Sequence, residues 1–340
     1  MAIFMEVESF FYKKLLSYNK VECMLCSRRC IIPENEFGFC KTQKNINGKL
    51  YIVDYGKISS YNIDPVEKKP LYHFYPGSNT FSVGSFSCNM SCLNCQNYTL
   101  SQNNGNNFKG NNILPERLAE IAIDYGCLSI AWTYNEPTLQ LQYAFDTAQF
   151  TKNYNLKNIF VTNGFMSEES LDYILPYIDA FNVDLKSMNN RFYEKICNAE
   201  LDSILDNIKK IYKNGNHIEL TNLIIPKFNS SNDNLETLIE FIINELGKEV
   251  PIHFSRFFPY YKMTDINITP KEILFNAKKM AENKGLDYVY IGNISENQNT
   301  YCPHCGELLI ERDGYKINNK NKIKNNKCIN CNYKLNFILD

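Results

Sequence analysis

The sequence predicts an α/β fold built on a parallel sheet, and three observations carry that prediction. From Thr80 onward, short apolar runs rich in β-branched and aromatic residues alternate with amphipathic stretches of helical period. Several of those stretches open on helix-start signals, with Pro115 and Pro270 in first-turn positions and Ser167 ahead of Glu168 and Glu169. Strands that alternate with helices in this way pair in parallel through right-handed crossovers.

The composition narrows the class. The chain has 340 residues, 44% of them hydrophobic, enough to bury a substantial core in one or two domains with small appendages. Its 36 basic and 37 acidic residues give a formal charge of −1, so neither nucleic acid nor an anionic membrane is an expected partner. Apolar runs such as 218–225 are too short and too polar to span a bilayer, and Glu6 and Glu8 break any secretion-signal pattern near the start. Eleven of the 13 cysteines fall in three compact groups with ligand spacing. In a chain of this length that spacing reads as metal binding in a reducing cytoplasm rather than as disulfides. Cys127 and Cys197 stand alone and read as core packing.

Taken in order, residues 1–20 place Phe4, Val7, Phe11, Leu15 and Leu16 near helical spacing and predict a short helix. Cys23, Cys26, Cys30 and Cys40 follow within eighteen residues. Four thiolates close a coordination shell, so this is a structural zinc site, slightly favoured, or a saturated iron–sulfur cluster. Residues 48–62 alternate and predict a hairpin. Strands are predicted at 81–86, 128–134, 158–163, 180–185, 217–225, 252–257 and 288–291, and helices at 115–125, 139–153, 168–177, 201–214, 235–246 and 270–284. In β/α barrels functional groups collect at the C-terminal ends of the strands. Here those ends carry Asn135 and Glu136, Asn163 and Gly164, Asp184 and Lys186, Ile225 and Pro226, and Arg256. After residue 296 the character changes. Cys302-Pro-His-Cys305 and Cys328-Ile-Asn-Cys331 give the C-x2-C…C-x2-C pattern of a zinc ribbon, whose metal supplies stability that so short a tail cannot draw from burial. His304 faces away from such a knuckle, and the polar, basic run at 318–327 reads as a mobile hairpin tip.

The most informative stretch is Cys88-Asn-Met-Ser-Cys92-Leu-Asn-Cys95. Three cysteines cannot close a shell of four; on a [4Fe–4S] cube they leave one iron open to a small molecule. This C-x3-C-x2-C loop resembles the signature of the radical S-adenosylmethionine (SAM) superfamily, in the branch related to pyruvate formate-lyase and other glycyl-radical-enzyme activating enzymes. Asp64-Pro-Val-Glu-Lys-Lys-Pro-Leu-Tyr-His73, Cys95-Gln-Asn97, Tyr134-Asn-Glu-Pro-Thr138 and Asn299-Thr-Tyr-Cys-Pro-His-Cys-Gly306 resemble a narrower group, the radical SAM enzyme of the AmmeMemoRadiSam system. The resemblance runs from about Cys23 to Cys331.

That resemblance implies a partial (β/α)6 barrel over 79–295, preceded by a cysteine-rich extension over 1–78 and followed by a zinc-ribbon tail over 296–340. It implies an oxidoreductase-like enzyme that cleaves SAM reductively at a [4Fe–4S] cluster on Cys88, Cys92 and Cys95, giving a 5′-deoxyadenosyl radical for hydrogen abstraction. Glu136 matches the acidic residue of the Gly-Gly-Glu motif that accepts from the SAM amino group, with Tyr134 and Asn135 standing where the glycines are. Asp184 and Lys186 match an Asp-x-Lys pair beside SAM, Asn163 in a matching Thr-Asn-Gly turn and Asn135 beside Glu136 are expected to contact SAM, and Arg256 offers a planar fork to a carboxylate or phosphate. Asn94 stands where the activating enzymes carry an aromatic ring against adenine, leaving Tyr98 and Trp132 as stacking candidates. His73 lies in a segment expected near the mouth of the site. A low-potential flavodoxin or ferredoxin would supply electrons, and a protein substrate or a Memo- or AMMECR-like protein is the expected partner. Activation of a glycyl-radical enzyme is the alternative reaction. A non-catalytic metal-binding scaffold is the alternative of another class, and the open three-cysteine loop argues against it.

Overall fold

The computed structural model describes residues 6–16, 19–102, 109–319 and 322–339. One eight-stranded sheet dominates it, and its strands lie side by side in chain order. They are β1 (Ser60–Pro65), β2 (Asn79–Gly84), β3 (Ser129–Trp132), β4 (Lys157–Thr162), β5 (Ala180–Asp184), β6 (His217–Ile224), β7 (Ile252–Arg256) and β8 (Val289–Gly292). The edge strand β1 runs antiparallel to β2, whereas β2 through β8 are all parallel. Successive strands are joined by α1 (Pro115–Asp124), α2 (Leu141–Thr151), α3 (Glu168–Ile174), α4 (Asp202–Asn214), α5 (Asn232–Phe241) and α6 (Lys271–Lys284). Each predicted strand and helix of this repeat is present, with ends shifted by a few residues. Pro115 opens α1, and the Ser167 hydroxyl caps α3 by accepting from the Ser170 amide.

Alternate side chains of a strand point to opposite faces, so each strand gives one set to the barrel interior and the other to the helices. The interior is plugged by the chain itself. Val66, Leu71 and Phe74, from the segment linking β1 to β2, pack against Ala131, Ile159 and Ala180 of three successive strands. Beneath them Glu219 is fully buried, accepting from the His73 amide at 2.7 Å and bonding to His217 and His253 at 3.0 and 2.7 Å.

The N-terminal region departs from the predicted helix. Phe4 lies outside the described residues. Val7–Glu8 pairs with Lys49–Ile52, and Tyr12–Lys14 pairs with Val21–Cys23. The apparent helical period failed because only Phe11 of this stretch enters the core, while Leu16 is exposed. The predicted 48–62 hairpin is also divided. Asn47 and Gly48, both at positive φ, turn Lys49–Ile52 back onto Gln43–Ile46, whereas Ser60–Pro65 joins the barrel sheet.

In the tail, Leu308–Asp313 pairs with Lys316–Asn319 around Gly314 and Tyr315. Within the run predicted as a mobile tip, 320–321 lie outside the described residues. Ile323–Lys324 and Lys327–Cys328 form a tight ladder instead, pinned where the Leu335 amide donates to the Asn326 carbonyl at 2.9 Å.

Candidate functional site

The cysteine loop leaves the C-terminal end of β2, on the rim where the sequence placed it. Its backbone is tied to a five-residue π turn, Tyr193–Cys197: the Ser91 amide donates to the Cys197 carbonyl and the Leu93 amide to that of Ile196, each at 2.9 Å. On the other side the Lys262 amide donates to the Leu93 carbonyl at 3.0 Å. Donors surround the sulfurs. The Met90 amide is 3.4 Å from Cys88 Sγ, Asn163 Nδ2 is 3.5 Å from the same atom, and the Ser101 hydroxyl is 3.1 Å from Cys95 Sγ.

Burial, with Glu136 nearby, pushes the Cys88 thiol well up, and burial raises Cys95. Cys92 is held below the usual thiol value, first by a hydrogen bond with the Cys197 thiol. Cys197 therefore touches a cluster-loop cysteine rather than merely packing in the core, a contact that its isolation in the sequence gave no means of seeing.

Glu136 organises the rim from beneath. Its Oε1 accepts from the Thr138 amide at 3.0 Å, the Thr138 hydroxyl at 2.5 Å and the Thr162 hydroxyl at 2.7 Å, while Oε2 accepts from the Asn163 amide at 2.8 Å. Its burial raises the carboxyl pKa. Asn163 relays this order: its amide group donates to Asn89 Oδ1 at 2.9 Å and its oxygen accepts from the Phe165 amide. Asn135 clamps the entry to the loop, donating to the Phe86 and Ser87 carbonyls and accepting from the Ser85 amide. Three residues expected to touch SAM are thus bound first to the protein, as braces of the loop.

Tyr134 takes φ +70°, a left-handed conformation that suits the glycine it replaces. Its hydroxyl donates to Asp64 Oδ2 at 3.0 Å, its carbonyl accepts from Asn97 Nδ2 at 2.7 Å, and Lys69 Nζ lies 4.9 Å from its ring. Asp64 also pairs with Lys68 and Lys69 at 3.1 and 2.9 Å, so much of the Asp64–His73 charge is internally matched.

The Asp184–Lys186 pair lies beside Cys92 and Cys197, with Nζ 2.8 Å from Oδ2. Burial alone would lower the Lys186 pKa, but Asp184 and the sulfurs of Cys92 and Cys197 outweigh it and hold the ammonium well above its ordinary value. Arg256 Nε donates to the Thr269 carbonyl at 2.7 Å, and its guanidinium lies over Phe258, tying loops together. Trp132 is buried edge-on against Tyr143. Tyr98 stacks on Tyr261 at 4.5 Å, close to Cys95 in sequence. His73 is not at the mouth of the site. It is completely buried at the opposite end of the barrel, between the Asn336 carbonyl and the Tyr290 hydroxyl.

The two remaining cysteine groups differ in geometry. Cys302, Cys305, Cys328 and Cys331 bring their sulfurs within 4.8 Å of one another. Cys302–Cys331 and Cys305–Cys328 separations are 3.6 and 3.8 Å. A tetrahedron of Zn–S bonds of about 2.3 Å has an edge of about 3.8 Å, so these four fit one zinc ion. Among the described residues no other group of three or more His, Cys, Asp or Glu side chains is gathered that tightly. The three loop sulfurs are not gathered to that single-ion spacing, and a core of several irons would need them farther apart than one zinc ion does. Their C-x3-C-x2-C order along the chain and their N–H and O–H donors fit such a cluster.

A parallel β/α barrel with three open-sided sulfurs on its C-terminal rim is the architecture of a cluster-dependent enzyme. The chain belongs to the radical SAM superfamily: the Radical SAM superfamily model matches residues 83–242, and that family works with a [4Fe–4S] cluster and SAM. Uncharacterized protein MJ0808 of Methanocaldococcus jannaschii is 45% identical over 98% of this chain and 99% of its own. The (2S)-3-sulfopropanediol dehydratase activating enzyme of Klebsiella oxytoca is 24% identical over 50% of this chain and 53% of its own. Among solved structures, a radical SAM methyltransferase from Sphaerobacter thermophilus shares the fold, with a TM-score of 0.51 and 15% identity over 69% of this chain and 71% of that one. Among the described residues no helix is long and apolar enough to cross a membrane.

Proposed function

We propose that this protein binds SAM at the open corner of a cluster held by Cys88, Cys92 and Cys95 and uses it to abstract hydrogen from a substrate, in the manner of the AmmeMemoRadiSam group. The observation that supports this most is the Asp184–Lys186 pair beside Cys92. A fixed ammonium next to an open-sided loop is what a methionyl carboxylate requires. The cluster, when bound, supplies the single electron for reductive cleavage of SAM. This chain's residues do the rest: Lys186 holds the carboxylate, Asp184 orients Lys186, and the Glu136–Asn163 brace keeps Cys88 in register.

A cavity of 240 Å³ between β8 and the segment after β1 is the proposed substrate space; Glu67, Tyr72, Thr221, Ser255, Gly292 and Tyr315 line it. Glu67 is buried there with Oε2 unpartnered, so a substrate donor or cation would satisfy it. A flavodoxin- or ferredoxin-class protein is the proposed electron source, and a protein substrate or a Memo- or AMMECR-like partner the proposed associate. Similarity to the Klebsiella activating enzyme favours a second reading, activation of a glycyl-radical enzyme.

Anaerobic EPR of the reduced, reconstituted protein, with an assay for 5′-deoxyadenosine, tests the main reading. A SAM-dependent change in the cluster signal, lost in Cys92→Ala, supports it. No SAM response and no deoxyadenosine would leave only the scaffold.

A further inference from the structure

The N-terminal cysteines are not a remote appendage: their turn is docked on the cluster loop. Cys26 forms an antiparallel bridge with Met166, and the Ser27 hydroxyl donates to the Met166 carbonyl at 2.6 Å. The Ser167 hydroxyl returns a bond to the Met24 carbonyl at 2.5 Å. Arg28, inside the Cys26–Cys30 turn, crosses the gap. Its Nε and Nη2 donate to the Asn89 carbonyl at 3.1 and 3.0 Å, on the peptide that follows Cys88. The same guanidinium lies 3.8 Å from the centre of the Phe39 ring, one residue before Cys40. A single side chain therefore joins the residue before Cys40 to the residue after Cys88.

The four thiols themselves are gathered but not collapsed. Cys23 interacts with Cys26, Cys30 and Cys40, and burial raises Cys23, Cys26 and Cys40. Among the described residues their sulfurs nevertheless do not meet the mutual 4.8 Å spacing that the C-terminal four meet. A zinc tetrahedron would draw such sulfurs to about 3.8 Å, and a closed four-thiolate shell around a wider core is that of a saturated cluster.

We propose that Cys23, Cys26, Cys30 and Cys40 hold a second, coordinatively saturated [4Fe–4S] cluster that relays electrons through the Arg28–Asn89 contact to the cluster on Cys88, Cys92 and Cys95. The relay rests on the reading of that loop as the open cluster; the metal assignment does not. One electron enters from a low-potential ferredoxin- or flavodoxin-class donor, reduces the N-terminal cluster by one unit, and then passes to the open cluster, which is reduced as the first is reoxidised. No bond forms or breaks.

The test uses the full chain, reconstituted anaerobically. Cys88→Ala/Cys92→Ala/Cys95→Ala should retain about four iron and four acid-labile sulfide per chain, with a reduced-cluster EPR signal indifferent to SAM. Two zinc ions and no iron in that variant would overturn the assignment. Cys26→Ala/Cys30→Ala should lose those four irons and keep the SAM-responsive signal; if the iron survives and the SAM response vanishes, the reading of the loop has failed instead. Arg28→Met should leave the iron content and dithionite reduction unchanged while slowing reduction of the open cluster by a ferredoxin-class donor at least ~10-fold. Arg28→Lys guards against misfolding, because it keeps the charge and loses the fork, and it should fall between. Wild-type rates in both would overturn the relay.

Discussion

The His73 ring lies flat on the Phe337 ring, with centroids 4.0 Å apart and planes 6° from parallel. One belongs to the segment that plugs the barrel, the other to the last strand-like stretch of the tail. The contact is locked by a chain of hydrogen bonds. Arg312 donates to Thr300 at 2.5 Å, Thr300 and Tyr290 share a bond of 2.7 Å, and His73 links Tyr290 to the Asn336 carbonyl. That carbonyl only accepts, so Nδ1 carries the proton and Nε2 accepts from Tyr290.

The tail should therefore depend on this stack as well as on its metal. Phe337→Ala removes a buried ring and should lower stability by about 3 kcal/mol. Limited proteolysis should then cut in the tail first, with zinc still bound. Chelation of zinc in the wild type should expose the same bonds by the opposite route. A variant whose tail resists protease as well as wild type would show that the stack is incidental.

His73 also gives the fold an acid sensitivity of defined sign. Burial lowers its pKa from 6.5 to about 3. The unfolded chain thus takes up a proton that the folded one refuses, and stability falls as pH drops below 6.5, continuing toward 3. Between pH 7 and 5.5, before the thiolate sites are lost, this one group should cost about 1 kcal/mol. Denaturant titrations of wild type and His73→Gln at both pH values should show the smaller pH dependence in the variant.

The repeat of strands and helices was legible because each element declared itself locally, through β-branched runs, Pro115 and the Ser167 cap. The N-terminal strands were not, because a two- or three-residue strand such as Val7–Glu8 is defined by its distant partner, Tyr51–Ile52. The site divides in the same way. Spacing alone singled out the loop cysteines and the ribbon. Arg28, Cys197 and Ser101 carried no spacing signal, since what makes them relevant is contact across 61, 105 and 6 residues of chain with Asn89, Cys92 and Cys95. His73 misled because its motif is near the site in sequence while its side chain is turned to the other end of the barrel.

Glu136 is a brace, and that has a measurable consequence. Glu136→Gln places an amide donor among donors from Thr138, Thr162 and Asn163. At least one N–H or O–H is left buried without an acceptor, at about 1–3 kcal/mol. Because Asn163 bonds to both Asn89 and Cys88, the loss should appear as poorer iron retention as well as a lower melting temperature. Unchanged iron with weaker SAM binding would assign Glu136 to SAM alone.

Gly84 and Tyr134 are matched. A Cβ on Gly84 would come 2.9 Å from Tyr134 Cδ2 and 3.1 Å from the Thr133 carbonyl. Gly84→Ala should therefore destabilise by about 1–3 kcal/mol. Tyr134→Gly, which suits the positive φ, should recover part of the loss in the double variant. Thermal melts of the four proteins decide this; strict additivity would mean that the backbone of Thr133 is the sole obstacle.

Lys186 offers the sharpest division between binding and support. Its ammonium is held charged by Asp184 and by the sulfurs of Cys92 and Cys197. If it receives the SAM carboxylate, Lys186→Met should weaken SAM binding at least ~10-fold, as one charge-assisted bond of about 1.5–3 kcal/mol implies. Iron content should be unchanged. Asp184→Asn keeps the ammonium and loosens its position, so its effect on SAM affinity should be smaller and of the same direction. Equilibrium binding of SAM to the reconstituted oxidised protein measures both. A Lys186→Met protein that binds SAM normally but loses iron would make the pair a support for Cys92, and the carboxylate would then have to be held elsewhere on the rim.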